Sequence, residues 1–123
     1  MPLRFLLDEN LRGRALWQAI GQNNARSANP LDIVRVGDPP DLPLQSSDAA
    51  ILLWAEREGR IFLSRDKKTL PGHMADHLQA GHHSPGVLIP RRGCTIPQLV
   101  AYLELAAYAG DPATYQDTIT YIG

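Results

Sequence analysis

Short apolar runs alternate along the chain with segments in which apolar residues recur every three to four positions. "RFLL" (Arg4 to Leu7) has the length and composition of a short buried strand. After it, "NLRGRALWQAIGQN" places Leu11, Ala15, Leu16, Ala19 and Ile20 on one helical face. The Asn- and Pro-containing residues 22–30 predict a turn, and the β-branched run from Asp32 to Val36 predicts a second strand. Gly37 to Ser47 holds three prolines and a glycine, which excludes a regular element there.

A helix start follows, because Ser47 or Asp48 can cap free backbone N–H groups, and Gly59 supplies the stop. Arg60 to Ser64 is the third predicted strand. Residues 67–85 look irregular, with one helical turn around His73 to Leu78, before a fourth strand from Gly86 to Pro90. "TIPQLVAYLELAAYAG" is the cleanest helix: Thr95 caps it, Pro97 suits its first turn, and Ile96, Leu99, Val100 and Leu103 share a face. The β-prone tail "TYQDTITYI" predicts a last strand.

Strands and helices therefore alternate, which predicts an α/β fold: a single domain over residues 1–123, with a mainly parallel central sheet and helices on both faces. Right-handed crossovers point parallel strands the same way, so their carboxyl ends share one edge, where open α/β sheets bind ligands.

Composition narrows the function only slightly. At 44% hydrophobic and 20% charged residues, the chain has the balance of an ordinary globular domain. A formal charge of −1 provides no global basic field, so a phosphate-bearing partner would depend on local clusters. Three exist: Arg12 with Arg14; Arg65 with Lys67 and Lys68; Arg91 with Arg92. The lone Cys94 excludes an internal disulfide and suits a reducing cytoplasm, the expected location. The first apolar stretch stops at Asp8, too short for a signal peptide or a membrane span, so no membrane association is expected.

The candidate chemistry is acidic. Asp8 and Glu9 lie just past the first strand and Asp66 just past the third, so the topology delivers them to one edge. Asp48 joins them if the Pro-rich segment carries the chain to that edge. Gathered carboxylates repel unless a cation joins them, and hard oxygen ligands suit Mg²⁺ or Mn²⁺. Such an ion can bind a phosphodiester, acidify a water and steady the leaving oxygen, which implies phosphodiester hydrolysis. Plainer roles compete: Asp48 as a helix cap, Asp66 as part of a surface ion cluster, Glu9 as a first-turn acid. His73, His77, His82 and His83 form a rival metal-ligand group, but with no carboxylate at ligand spacing they read as a solvated polar segment.

"FLLDENL", "SSDAAILLWAEREGRIFLSRD" and "PGVLIPRR" together resemble the PIN-like family, in particular its small stand-alone bacterial members. The similarity runs from about Leu3 to about Tyr108. It implies a PIN fold and kinship with Mg²⁺- or Mn²⁺-dependent endoribonucleases such as VapC-type toxins. By that resemblance Asp8, Asp48 and Asp66 are the catalytic and metal-holding acids, Glu9 and Asn10 border the site, and Arg65 or Lys67 meets substrate phosphate. RNA is then the substrate, and a cognate antitoxin protein or a second copy of the chain is the candidate protein partner. Relatives commonly read D-x-D-F after the third strand where this chain reads "DKKT". Lys68 thus stands in place of a further acid, where its charge weakens metal binding or contacts the RNA backbone.

Two alternatives stand beside the nuclease. One is a PIN-like module that binds RNA or protein without cleaving it. The other is a receiver-like phosphoacceptor domain, which also gathers acids after the first and third strands. Receivers carry Thr or Ser after the fourth strand and Lys after the last, whereas here the fourth ends in "PRR" and the tail "TITYIG" has no Lys.

Overall fold

The structure, a computed structural model, describes residues 2–123. Five strands form one all-parallel sheet: β1 Arg4–Leu7, β2 Ile33–Arg35, β3 Arg60–Leu63, β4 Val87–Pro90 and β5 Ile119–Ile122, in the order β2-β1-β3-β4-β5. Register is set by Leu6 opposite Val34 on one side and Phe62 on the other. The pleat sorts the core by alternation. Phe5, Leu7, Ile61, Leu63 and Leu88 join α1 (Arg14–Arg26) and α4 (Ile96–Ala109) in one apolar layer. Leu6, Phe62, Val87 and Ile89 join α2 (Asp48–Glu58) and α3 (Leu70–Gln79) in the other. The predicted α/β class, with helices on both faces, is the observed one.

Several boundaries differ from the sequence reading, each for a local reason. The segment read as irregular is a regular ten-residue helix, α3, with Pro71 in its first turn. Its buried positions are Leu70, Met74 and His77, so a histidine occupies an apolar slot and breaks the hydrophobic pattern. The predicted first helix is split. Glu9–Leu11 form a 3-10 turn, α1 starts after Gly13, and it runs on to Arg26 through the predicted turn. Ala15 consequently faces solvent rather than the core. Asn24 then locks the following loop, its amide bonding both the N–H and the carbonyl of Leu31 at 2.8 and 3.1 Å. A short helix, α5 (Pro112–Tyr115), takes the start of the predicted tail strand.

Other expectations hold residue for residue. Gly59 ends α2 in the left-handed region at φ 68°, a conformation that glycine adopts without steric penalty. Thr95 and Gln98 form a reciprocal capping box at the start of α4. The Pro-rich segment is ordered: Leu42 is buried, and the Trp54 indole donates to Asp41 at 3.0 Å. Among the described residues no helix is long and apolar enough to cross a membrane.

Candidate functional site at the carboxyl edge of the sheet

The site begins where β1 and β3 end side by side. In open sheets of this strand order the crevice between those two strands is the usual ligand position. Asp8 follows β1, and its N–H donates to the Leu63 carbonyl at 2.9 Å, which pins it to β3. Its carboxylate accepts from the Glu9 N–H at 2.8 Å, the Asn10 amide at 3.3 Å and the Ser64 hydroxyl at 2.7 Å.

Ser64 is the hub that the sequence reading missed. Fully buried at the end of β3, it donates to Asp8 and accepts from the Asn10 amide at 3.2 Å and the Asp66 N–H at 3.1 Å. The Asn10 side-chain oxygen Oδ1 closes the ring by accepting from the Arg65 N–H at 3.1 Å. The "DEN" and "SRD" turns are therefore one hydrogen-bonded unit. A hydroxyl at the last buried position of a strand, next to a candidate acid, was the signal available in the sequence.

Asp66 turns its carboxylate toward its own loop. It accepts from the N–H groups of Lys68 and Thr69 at 3.1 and 2.9 Å, and from the Thr69 hydroxyl. The Thr69 hydroxyl and N–H bonds hold the Asp66 carboxyl below the ordinary range, with His73 adding a smaller attraction. Among the described residues Asp66 makes no ion pair with Arg65, Lys67 or Lys68, so the surface ion cluster is not what forms. The exposed Lys68 reaches Asp66 through its backbone N–H.

Asp48 behaves differently from both. Ser47, not Asp48, caps α2, accepting from the Ala50 N–H at 3.1 Å, which leaves the Asp48 carboxylate free at the first helical position. The Pro-rich segment brings it there by staying at the carboxyl edge. Arg12 bonds Asp38 at 2.9 Å, and the Glu9 carboxylate accepts from the Gln45 N–H. Burial first, then the negative charge of Asp8, raises the Asp48 carboxyl; Asp66 adds to the rise and His73 opposes it. His73 Nε2 lies 3.6 Å from Asp48 Oδ2, so this histidine of the rival group belongs to the acid site.

The other histidines lie elsewhere. His77 is buried and stacks on His82 with ring centroids 4.9 Å apart, and both approach Glu56. His83 pairs with Asp117 at 2.9 Å. Of the histidines in the segment expected to be solvated, only His77 is packed into the core; His73 and His83 are exposed and His82 is partly so. A cavity of about 550 Å³ opens beside His83, lined also by Leu3, Arg4, Glu56 and Ser84 at the opposite edge of the sheet, and none of Asp8, Asp48 and Asp66 lines it.

The donor chemistry suits a hard divalent cation: three carboxylates and no thiolate, with Asp48 feeling the charge of the other two. The spacing is looser than a finished ligand set. Among the described residues no three His, Cys, Asp or Glu side chains are grouped so that they could hold one ion. Comparison of the chain with family models, curated proteins and solved structures finds no match.

Proposed function

We propose that the chain is a PIN-like endoribonuclease that depends on Mg²⁺ or Mn²⁺. The observation that carries this reading is the approach of three acids from three separate elements to one sheet edge, where burial first, and then the charges of Asp8 and Asp66, raise the Asp48 carboxyl. Asp8, Asp48 and Asp66 would hold the ion, which supplies positive charge to the phosphodiester and acidifies a water. Ser64 and Asn10 keep the Asp8 carboxylate in one orientation. His73 stands beside Asp48, its Nε2 3.6 Å from the carboxylate oxygen.

Receiver chemistry has less support. After β4 come Arg91 and Arg92 rather than a hydroxyl residue, β5 ends at Ile122 with no lysine, and Asp48 would have no role. A module that binds RNA without cleaving it is favoured by one specific feature, the engagement of both Asp66 oxygens by its own loop. A mixed RNA pool incubated with Mn²⁺ separates these readings. Cleavage is expected with Mn²⁺ or Mg²⁺ and is abolished by EDTA or by Asp66→Ala. Cleavage that persists in EDTA would refute the metal assignment. RNA retained intact by the folded protein in Mn²⁺ would favour the binding module.

A further inference from the structure

Two basic clusters that are separate in the sequence meet in the fold. Because β3 and β4 are neighbours, Arg65 and Lys67 line one cleft with Arg91 and Arg92, over an apolar floor that includes Leu16 and Ile96. The cleft measures about 360 Å³, and no acidic residue lines it. Among the described residues none of these four side chains makes an ion pair or a hydrogen bond. By contrast, Arg12, Arg35, Arg57 and Arg60 all pair with carboxylates. Four like charges lining one cleft, with no acid among them, give it a positive potential that a bound anion would relieve.

The arginines are also held in place. The Cys94 N–H donates to the Arg91 carbonyl at 2.9 Å, closing a turn whose third residue, Gly93, sits at φ 92°. The Arg91 N–H donates to the Ile122 carbonyl at 2.7 Å, fixing that turn to the sheet. A backbone fixed before binding lowers the ordering cost of capturing a ligand. On the other wall, Arg65 and Lys67 flank Asp66 directly, so the cleft lies one residue along the chain from that acid.

We infer that this cleft is a backbone subsite for single-stranded polynucleotide, taking the phosphate of a nucleotide that adjoins the one at the acids. The cations hold phosphate, and the floor meets sugar or base without reading sequence. The inference rests on the nuclease reading for its register, but its test does not need cleavage.

A short labelled single-stranded oligoribonucleotide, titrated in EDTA and followed by anisotropy, measures binding alone. Arg91→Ala/Arg92→Ala is expected to weaken binding about tenfold and to flatten the salt dependence by about 0.7 in log–log slope for each lost phosphate contact. Both side chains are exposed, so the melting temperature should not move; the single Arg92→Ala, with about half the loss of slope, guards against a folding artefact. Unchanged affinity and slope in the double variant would overturn the inference. So would an absence of RNA binding by the unsubstituted protein. Binding that depends on the arginines, with no cleavage when Mn²⁺ is restored, would refute the nuclease reading and leave the subsite standing.

Discussion

Replacing Asp48 with Asn is expected to cut Mn²⁺-dependent RNA cleavage by roughly a hundredfold or more, the scale of losing one electrostatic contact at a reacting centre. The same change should leave the protein level in stability, or more stable, at pH 7. The Asp48 carboxyl is raised in the folded state by burial, Asp8 and Asp66, so ionising it costs more in the folded than in the unfolded chain. That penalty is absent below the unfolded value of 3.8, grows as pH rises through the folded value, and is complete at neutrality. Asparagine removes the charge and with it the penalty. The loss of a first-turn acid, worth about 0.3–1 kcal/mol at a helix start, works against the gain. The melting temperature of Asp48→Asn minus that of the unsubstituted protein should therefore be larger at pH 7 than near pH 3.5. Thermal melts at the two pH values check this. A difference that shrinks toward neutral pH would mean that the Asp48 carboxyl is not raised in the folded protein.

Phe62→Ala should be among the most damaging core substitutions, costing about 3–5 kcal/mol. Phe62 is fully buried on β3, the central strand, between Leu6 of β1 and Val87 of β4. Its ring fills the layer under α2 and α3, among residues that include Ile51, Trp54 and Met74. Domains of this size hold roughly 5–15 kcal/mol in total, so the variant should keep little reserve. A fall of roughly 10–20 °C in melting temperature follows. Urea unfolding monitored by circular dichroism measures the loss. A cost below about 1 kcal/mol would show that the cavity collapses or that the ring contributes little to this layer. Phe62 lies two residues before Ser64, so the variant should also loosen the hydrogen-bonded turns that hold Asp8.

The strands were the most legible part of the fold, because parallel strands buried on both faces read as continuous apolar runs such as "FLL", "IFL" and "VLI". Their shared direction followed from the alternation with helices and carried Asp8 and Asp66 to one edge. Other features depend on tertiary partners. The regularity of α3 was hidden because His77 fills an apolar position whose stacking partner, His82, lies beyond the helix. Ser47 and Asp48 are both good cap residues, so only geometry distinguishes the cap from the free carboxylate. Ser64 bonds a carboxylate 56 residues away, a pairing that no local pattern encodes. The merging of two basic clusters required the order β3-β4, which periodicity does not set.

The central proposal is that Asp8, Asp48 and Asp66, which as they stand are not grouped closely enough to hold one ion, draw together on a single divalent ion, and Mn²⁺ titration of the folded protein tests it most directly. Calorimetry should show one Mn²⁺ bound per chain, with the affinity reduced at least tenfold in each of Asp8→Asn, Asp48→Asn and Asp66→Asn, on the scale of lost metal-site support. No saturable Mn²⁺ binding by the unsubstituted protein, or an affinity that Asp48→Asn leaves unchanged, would contradict the account.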